Sequence, residues 1–231
     1  MAVSGAEDFL RARGLWRRKP RGEGWLLSDV RLTVRGGQRL AIVGPSGSGK
    51  TLLLRALARL DPLDRGEILW RGEAVVGNRV PDFRRHVIYL HQRPVLGEGT
   101  VEDSLQAPYR LNVHRASRFD RQRLVEWLRL LGRDAQLLTR RQRELSGGEA
   151  QIIALLRAIQ LQPQVLLLDE PTAALDADAT LAVERLIDVW MRQDDTARAT
   201  VWVSHDQQQA ARVSTKMLAL QQGRLQGGGS C

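Results

Sequence analysis

The sequence predicts an α/β protein with a parallel sheet at its core, and three observations lead to this fold class. The apolar runs Val165–Leu168 and Thr200–Val203 are of the kind that is buried in a parallel sheet. A glycine-rich loop joins a predicted strand, Arg39–Val43, to a predicted helix, Thr51–Leu60. From Val101 to Leu145 the pattern is helical and rich in arginine, which fits a helical subdomain inserted into an α/β core.

Turn residues between apolar segments mark the remaining predicted elements. Gly36-Gly37 separates two predicted strands, and Asp61-Pro62 ends the predicted helix. The further predicted strands are Leu26–Val34, Gly66–Trp70 and His86–His91, the last of which enters a loop at Gln92-Arg93-Pro94.

The chain shows no internal repeat, so we expect one domain and not a fused pair. At 231 residues it can bury a sizeable core. We expect a single domain over residues 1–226 that contains a helical subdomain at about 95–160. Residues 227–231 are expected to form a flexible Gly/Ser tail, either native or left over from cloning.

The composition favours a protein of the cytosol. The longest apolar runs, such as Leu40–Val43 and Val165–Leu168, are far shorter than the roughly 20 residues that span a bilayer. The segment Met1–Leu10 lacks the basic-then-apolar order of a signal peptide. The one cysteine, Cys231, excludes an internal disulfide and fits a reducing compartment. We therefore expect a soluble cytosolic chain.

The charge balance is basic, with 35 Lys and Arg residues against 26 Asp and Glu residues and a net charge of +9. Two arginine-rich stretches, Arg11–Arg21 and Arg110–Arg143, hold much of it. Such a balance favours nucleic acid, acidic lipid headgroups or an acidic protein face as a partner, with a solvated basic surface as the alternative. No zinc-ligand set, RNA-binding aromatic motif or basic zipper accompanies the charge. Nucleic acid is therefore not the favoured partner.

The first chemical motif is the loop after the Arg39–Val43 strand, which matches the pattern GxxxxGK[ST]. Glycines let backbone amides turn inward around phosphates, and the helix start adds a positive dipole end. We expect Lys50 to reach the β- and γ-phosphates and the Thr51 hydroxyl to bind Mg²⁺. The pattern alone does not separate kinases, GTPases and transport ATPases. The expected nucleotide-binding residues of this segment are Gly44, Pro45, Ser46, Gly47, Ser48, Gly49, Lys50, Thr51 and Leu52.

An acidic pair ends the apolar run Val165–Leu168. Asp169 is expected beside the magnesium ion and Glu170 toward the γ-phosphate. Glu170 can then polarise the attacking water as a general base. An ordinary acidic turn before a proline is the alternative, but the phosphate loop upstream favours the catalytic interpretation.

A second glycine pair narrows the choice among nucleotide enzymes. The segment Leu145–Glu149 reads Leu-Ser-Gly-Gly-Glu and opens an amphipathic helix, whose N-terminus is a second anion site. Because one chain would not need two such sites for one triphosphate, we infer that this one binds the γ-phosphate held by a second copy. A serine N-cap before a core helix is the alternative. The residues expected at this site are Ser146, Gly147, Gly148 and Glu149.

This set of motifs resembles the ATP-binding subunit of an ABC transporter, and the resemblance runs along most of the chain. It implies a P-loop NTPase (ABC ATPase) fold with a RecA-like parallel-sheet core, a small antiparallel β subdomain and an inserted α-helical subdomain. It also implies ATP and Mg²⁺ as cofactors. The implied activity is ATP hydrolysis coupled to transmembrane transport.

Three further motifs of the family match positions of this sequence. Gln92 matches the glutamine loop, which links Mg²⁺ and the attacking water to the transporter contact, so the resemblance implies both a metal and a catalytic role. Ala173–Asp176 looks like the D-loop, where Asp176 would lie at the dimer seam. Val203–Asp206 looks like the switch-histidine segment, in which His205 would donate a hydrogen bond to the γ-phosphate. The remaining histidines, expected to be structural or surface residues, are His86, His91 and His114.

The aromatic residue that stacks on adenine in this family lies upstream of the phosphate loop. Trp16 is the candidate, because an indole face suits adenine stacking. The segment Arg17–Gly24 is slightly longer than is usual there. Trp25 is the competing residue, although we expect it to pack at a strand start.

The resemblance implies an ATP-driven clamp. Two copies would close head to tail over two MgATP, each site built from Gly44–Thr51 of one chain and Leu145–Glu149 of the other, and hydrolysis at Glu170 would release the seam. Since the chain has no predicted membrane span, an integral-membrane permease would be a separate subunit. It would dock on the helical subdomain and glutamine loop, near Arg110–Arg143. The implied location is cytoplasmic, peripheral on the inner face of the cell membrane.

Local features look like the short, stand-alone subunits of Fet-type iron exporters. The segment Gln92–Leu105 follows their pattern Q-x-P-x-L…T-V-x-D-x-L, and the Ile153–Ile159 helix and the Val201–Asp206 strand are similar as well. This similarity implies metal ion as the cargo, in the direction of export.

Two other classes are weighed against transport. A soluble ABC-type ATPase acting on nucleic acid or ribosomes would normally show long heptad insertions or two tandem cassettes, and neither is present. The positive charge keeps this alternative open. A regulatory module without hydrolysis would need a damaged acidic pair or histidine, whereas Asp169, Glu170 and His205 are all present.

Overall fold

The computed structural model describes residues 7–20, 23–95, 97–193 and 197–226, and the expected tail at 227–231 lies outside these residues. Within the described ranges, the strands are β1 (Asp8–Arg18), β2 (Trp25–Arg35), β3 (Arg39–Val43), β4 (Arg65–Trp70), β5 (Glu73–Ala74), β6 (Val87–Leu90), β7 (Val165–Asp169), β8 (Ala199–Val203), β9 (Lys216–Gln221) and β10 (Arg224–Gln226). The α-helices are α1 (Lys50–Leu57), α2 (Arg79–His86), α3 (Val101–Gln106), α4 (Arg121–Leu130), α5 (Gly147–Ile159), α6 (Ala177–Arg192) and α7 (Gln207–Val213).

Contacts within the chain divide it into two compact units. The first, here called the sheet unit, comprises Met1–Tyr89, Gln164–Glu170 and Ala197–Cys231. The second, the helical unit, comprises Leu90–Pro163 and Pro171–Thr196. The helical unit therefore takes in residues 171–196 in addition to the predicted range. The description of residues 1–226 as one domain stays a prediction.

A six-stranded sheet with the order β10-β9-β3-β8-β7-β6 forms the centre of the sheet unit. Strand β3 pairs in parallel with both β8 and β9, and β7 pairs in parallel with β8. The fully buried runs of β7 and β8 confirm the parallel core that their apolar sequence predicts. Because β3, β7 and β8 run in the same direction, the residues that follow them lie at one edge of the sheet.

A four-stranded sheet with the order β2-β1-β4-β5 is antiparallel and confirms the expected small β subdomain. One of its two inner strands, β1, was not predicted, because its sequence reads as part of an arginine-rich stretch. Phe9, Leu10 and Leu15 of β1 are buried in the hydrophobic core. Gly14 has a φ of +59° and lies where the β1–β2 register shifts, so it interrupts the alternation that would have marked the strand.

Helix α1 ends three residues earlier than the predicted Leu60. Arg59 adopts a left-handed conformation with a φ of +56°. The Arg59 amide donates to the Ala56 carbonyl at 3.0 Å and the Leu60 amide donates to the Arg55 carbonyl at 2.9 Å. This pair of bonds is a Schellman motif, which closes the helix before Asp61-Pro62 is reached.

The predicted strand His86–His91 is shorter in the structure, since His86 belongs to α2 and only Val87–Leu90 forms β6. Helix α2 was not predicted, and Phe83 is its one buried residue. A short helix with a single buried side chain has too few apolar positions to give a periodic signal.

The helical unit contains four α-helices among its described residues, and short 3₁₀ turns join α3 to α4 and α4 to α5. Each begins at a polar residue whose side chain accepts a hydrogen bond from a backbone amide of the first turn. Such caps satisfy amides that have no partner inside the helix and are worth about 1 kcal/mol each. The N-cap residues are Thr100, Asp120, Ser146 and Asp176.

In the parts of the chain that the structure describes, no helix has the length and apolar character needed to cross a membrane.

Candidate functional site

The phosphate loop between β3 and α1 depends on glycine backbone geometry. Gly44, Gly47 and Gly49 have φ angles of 154°, 76° and 102°, which residues with side chains rarely adopt. A side chain at Gly44 would place a Cβ atom 2.2 Å from the Leu220 carbonyl oxygen. The tight turn that the sequence motif predicts is therefore built into the backbone.

The Lys50 side chain lies against this loop. Its Nζ atom donates to the carbonyl oxygens of Gly44 at 2.8 Å and Pro45 at 3.0 Å. An ammonium group has three donors, so one remains for an anion. Pro45 and Ser46 are exposed, and Thr51 is exposed in the first turn of α1, where its hydroxyl is accessible.

The buried hydroxyl of Ser48 shows that the loop fits a phosphate group. Its side chain is buried, and its Oγ atom has no hydrogen-bond partner among the described residues. Leaving a buried hydroxyl without a partner costs about 1–3 kcal/mol. A phosphate oxygen would accept from this hydroxyl, and the N-terminus of α1 adds positive dipole character. The loop therefore fits a phosphate.

Leu52 packs its side chain against the hydrophobic core of the sheet unit. Leu52 can therefore contribute only its backbone to nucleotide binding. Its amide is in the first turn of α1, where amides have no intrahelical partner.

The acidic pair lies where β7 ends. Asp169 is 1% exposed, and its Oδ2 atom accepts a hydrogen bond from the Tyr89 hydroxyl at 2.9 Å. Glu170 has a φ of +46°, and its amide donates to the Val203 carbonyl at 3.1 Å. A φ of this sign costs a residue with a side chain on the order of 1–3 kcal/mol, and such strain is typical of functional sites.

The ion pair of Arg55 and Asp61 interacts electrostatically with Tyr89 and Asp169. Burial and the Asp169 carboxylate raise the pKa of Tyr89, so the phenol keeps its proton and acts as the donor. Arg55 donates to Asp61 at 2.7 and 2.6 Å, and these hydrogen bonds hold the pKa of Asp61 below its usual range. The Arg55 guanidinium also interacts electrostatically with Tyr89 and Asp169.

His205 lies in the turn between β8 and α7. Its Nδ1 atom is 3.4 Å from the Glu170 Oε2 atom, and its side chain is 74% exposed. The buried Ser204 fixes this turn, since its Oγ atom donates to Gln209 Oε1 and accepts from the Asp206 amide, both at 3.0 Å. The backbone is therefore held in place while the imidazole stays accessible.

Trp16 and Trp25 lie against each other in an edge-to-face arrangement, with ring centroids 4.9 Å apart. Both are partly exposed. Trp25 begins β2, as expected, and the guanidinium carbons of Arg18 and Arg65 lie 5.2 and 5.6 Å from its ring centroid. Trp16 stays the predicted adenine contact.

The Leu145–Glu149 segment lies in the helical unit and begins α5 with a capping box. Ser146 Oγ accepts from the Glu149 amide at 3.2 Å, and Glu149 accepts in return from the Ser146 amide at 2.8 Å. Ser146 and Gly147 are exposed. The start of the helix is therefore rigid and accessible, as an anion site requires.

Arg140 stabilises this segment. Its guanidinium donates to Glu149 at 2.6 Å and to the Glu144 carbonyl at 2.7 Å. Burial alone would raise the pKa of Glu149, but hydrogen bonds from Ser146 and Arg140 outweigh it and leave the pKa below its ordinary value. Glu149 is thus an ion paired with a cation at the start of α5.

Gln151 joins three predicted segments inside the helical unit. It is 1% exposed. Its side-chain Nε2 atom donates to the Gln92 carbonyl at 3.3 Å, and its Oε1 atom accepts from the Ala174 backbone amide at 3.0 Å. A Cβ atom at Gly148 would lie 2.9 Å from the Ala174 carbonyl oxygen. The glutamine loop and the Ala173–Asp176 segment are therefore packed against α5, which starts at Gly147 and Gly148, here called the signature glycines.

The sheet unit brings together Lys50, Asp169, Glu170 and His205, because they follow parallel neighbouring strands. Gln92, Ser146–Glu149 and Asp176 belong to the helical unit, where Asp176 is the exposed N-cap of α6. Sequence reasoning missed three residues that contact predicted site residues. These residues are Tyr89, Arg140 and Gln151. For Tyr89, the position three residues before Gln92 was a weak sequence signal.

The donors fit Mg²⁺ bound together with phosphate oxygens. Among the described residues, no group of three or more His, Cys, Asp or Glu side chains could hold a metal ion. Mg²⁺ usually takes one or two carboxylates plus substrate phosphates and water. Asp169 keeps one carboxylate oxygen beyond the Tyr89 contact, and Thr51 offers an exposed hydroxyl. The parallel sheet, phosphate loop and acidic pair together define a P-loop ATPase fold.

Comparison with known proteins gives the family. A family model described as ABC transporter matches residues 27–173. The chain is 37% identical over 207 residues to the sulfate/thiosulfate import ATP-binding protein CysA of Nitrosomonas europaea, covering 87% of this chain and 55% of that protein. It is 38% identical over 226 residues to Protein STAR1 of Oryza sativa subsp. japonica, covering 97% and 63%. The chain belongs to the ABC transporter family and is an ATP-binding domain of that family.

Two solved structures share the fold. A dimeric ATP-binding cassette in a post-hydrolysis state, bound to ADP and Pi, superposes with a TM-score of 0.85 at 24% identity, covering 96% of this chain and 98% of that chain. A bacterial Atm1-family ABC exporter with ATP bound superposes with a TM-score of 0.81 at 27% identity, covering 100% and 41%. They confirm the predicted ABC ATPase fold.

The chain spans little more than half the length of the curated CysA relative that it matches. The names of these relatives do not support the expected iron-export subfamily. The family-level assignment is therefore the one established.

Proposed function

We propose that this chain is the ATP-binding and ATP-hydrolysing subunit of an ABC transporter and supplies energy to a separate integral-membrane permease. The observation that carries the proposal is the Glu170–His205 pair, 3.4 Å apart, at the sheet edge that also holds the phosphate loop. The family match and the names of the relatives support the same activity.

ATP binding is assigned to the phosphate loop. Lys50 binds the β- and γ-phosphates, and the Ser48 hydroxyl donates to a phosphate oxygen. Trp16 contacts the adenine ring with its partly exposed indole. The glycine backbone lets the phosphates approach closely without a steric clash.

Hydrolysis is assigned to the acidic pair and its neighbours. Thr51 and Asp169 would hold Mg²⁺, which would supply charge stabilisation for the phosphoryl group when bound. The family resemblance implies Gln92 as a further ligand. Glu170 accepts a proton from the attacking water, and His205 donates a hydrogen bond to the γ-phosphate. The hydrogen bond from the Glu170 amide to β8 fixes the backbone from which the carboxylate acts.

The second partner is another copy of the chain, in a head-to-tail dimer. Ser146, Gly147 and Gly148, with Glu149, form a second anion site at the start of α5. Because one triphosphate does not need two such sites, this one is assigned to the γ-phosphate of the partner copy. Asp176 lies at the same seam in this proposal. The description of one structural neighbour as a dimer supports the arrangement.

The permease is assigned to the glutamine loop. Gln92 is exposed, and Val95, an apolar side chain three residues later, is 85% exposed. An exposed large apolar side chain beside a functional loop is typical of a protein contact. The chain would then lie on the cytoplasmic, inner face of the cell membrane as a peripheral subunit.

The cargo is a separate proposal, because the residues assigned to ATP binding and hydrolysis do not select the transported substrate. The Gln92–Leu105 pattern favours export of a metal ion, with iron as the specific candidate. The names of relatives at 37% identity favour import of sulfate or thiosulfate as the second candidate. Transport of radioactive iron and of radioactive sulfate into vesicles that carry the chain with its permease separates the two.

The test of the main proposal is capture of the permease. The tagged chain, with the Val95→Asp variant as control, is mixed with detergent-solubilised membranes of the source organism, and bound proteins are identified by mass spectrometry. We expect the wild type alone to retain a protein with several apolar segments of roughly 20 residues. Retention of ribosomes or nucleic acid in its place would favour the alternative, an ABC-type ATPase acting on these partners.

A further inference from the structure

We propose that Tyr89 is a positioning residue that orients the magnesium-binding carboxylate, Asp169. This inference rests on the proposed function, because it concerns the metal site of the same ATPase. Nothing in the family motifs of this sequence assigns a role to Tyr89.

The geometry of the pair is that of a fixed donor and acceptor. The Tyr89 hydroxyl donates to Asp169 Oδ2 at 2.9 Å. Tyr89 lies on β6 and Asp169 ends β7, and these strands are neighbours in the six-stranded sheet. Both residues are thus held by regular backbone, which positions side chains more firmly than a loop does.

Burial makes the hydroxyl important. Asp169 is 1% exposed, and a buried carboxylate needs hydrogen-bond donors to offset its lost hydration. The phenol contacts one carboxylate oxygen and thereby fixes the orientation of the other. Residues that orient a metal ligand in this way commonly change metal affinity by about 10- to 100-fold when they are removed.

The charge of the donor matters as well. The Arg55 guanidinium interacts electrostatically with Asp169, but its hydrogen bonds go to Asp61 at 2.7 and 2.6 Å. The donor to Asp169 is the neutral phenol. A neutral donor orients the carboxylate and leaves its negative charge for Mg²⁺, whereas a bonded cation would compete with the metal ion.

The test replaces the hydroxyl and keeps the ring. The chain has two tyrosines, so Tyr109→Phe is a matched control for Tyr89→Phe. Tyr109 is also half-buried, and its hydroxyl donates to the Gln160 backbone carbonyl at 3.3 Å within the helical unit. Binding of Mn²⁺, a spectroscopic substitute for Mg²⁺, is measured by electron paramagnetic resonance with a saturating non-hydrolysable ATP analogue. Affinity for the analogue is measured separately in the presence of EDTA.

We expect Tyr89→Phe to bind Mn²⁺ about tenfold more weakly than the wild type. Its analogue affinity in EDTA should be unchanged, and Tyr109→Phe should behave as the wild type in both measurements. Equal Mn²⁺ affinity of Tyr89→Phe and wild type would overturn the inference. If the wild type itself shows no nucleotide-dependent Mn²⁺ binding, the proposed function fails, and this outcome is distinct from the first.

Circular dichroism of each variant checks the fold. If Tyr89→Phe does not fold, Tyr89→Gln is compared with the wild type. Its side-chain amide keeps a neutral hydrogen-bond donor, so its Mn²⁺ affinity should be retained. Mn²⁺ affinity within about threefold of the wild type supports the inference, and a loss of about tenfold or more contradicts it.

Discussion

The Nδ1 atom of His205 lies 3.4 Å from the Oε2 atom of Glu170. The two residues follow adjacent parallel strands, whose register pairs Asp169 with Val203. The imidazole and the carboxylate are therefore aligned by the sheet itself, and the Glu170 amide adds a hydrogen bond to the same neighbouring strand. A general base and a hydrogen-bond donor for the γ-phosphate can act side by side from this edge.

Removal of the imidazole tests this relationship. We expect His205→Ala to lower the ATP turnover number by about 100-fold or more, because a positioned polar group is lost from the reacting phosphate. ATP binding should be close to that of the wild type, since the phosphate loop is unchanged. Steady-state hydrolysis and equilibrium nucleotide binding measure the two effects. Wild-type turnover in the variant would exclude His205 from the mechanism.

The signature glycines offer a matched steric comparison. A Cβ atom at Gly148 would lie 2.9 Å from the Ala174 carbonyl oxygen, whereas at Gly147 the nearest contact is the Ala174 Cβ atom at 3.8 Å. We expect Gly148→Ala to lower the free energy of unfolding by about 1–3 kcal/mol, because backbone must shift to admit the methyl group. Gly147→Ala should cost clearly less. Urea unfolding measures both, and equal losses would be inconsistent with the packing described.

Arg140 is predicted to make Glu149 compatible with a phosphate at the start of α5. The Arg140 guanidinium donates to Glu149 at 2.6 Å. We expect Arg140→Ala to weaken ATP-dependent dimerisation about threefold to tenfold, because an unpaired carboxylate repels the γ-phosphate. Adding Glu149→Gln to that variant removes the charge and should restore dimerisation. Analytical ultracentrifugation with ATP measures the effect, and a double variant as weak as Arg140→Ala would refute the electrostatic explanation.

His86 gives a prediction about stability and pH. Its ring stacks on Trp70 at a centroid distance of 5.7 Å, and burial lowers its pKa although Asp82 lies 4.0 Å away. The unfolded chain, with a histidine pKa of about 6.5, therefore takes up a proton before the folded protein does. The stability that neutral His86 contributes above about pH 6.5 is therefore lost as the pH falls through the pKa of His86 in the folded protein.

The control for this prediction is His86→Phe, which keeps an aromatic ring without the titrating group. Between about pH 7.5 and pH 5, the wild type should lose more unfolding free energy than His86→Phe, as measured by urea titration. Parallel pH profiles for the two proteins would show that His86 does not contribute.

The phosphate loop and the acidic strand end of the sheet unit could be predicted because each is a continuous sequence motif. The GxxxxGK[ST] pattern fixes Gly44–Thr51, and the apolar run before Asp169 fixes a buried strand with an acidic end. Continuous apolar runs without alternating polar residues predicted strands that are buried in a parallel sheet. Fold and family were thus accessible from the sequence, and their outcome in the structure confirms the prediction.

The parts that could not be predicted depend on contacts between distant residues or on irregular strands. Tyr89 and Asp169 are 80 residues apart, and no local pattern links them. Strand β1 was missed because its arginines, several paired with acidic residues, hide the buried positions of Phe9 and Leu15. The roles of the individual site residues stay predictions until they are measured.

The most direct measurement compares ATP hydrolysis and ATP-dependent dimerisation of the wild type and Glu170→Gln. The account predicts that the wild type hydrolyses ATP, whereas the variant loses turnover by about 100-fold or more and accumulates as an ATP-bound dimer. Wild-type turnover in Glu170→Gln, or a variant that binds ATP and stays monomeric, would contradict a shared site in which Glu170 is the general base.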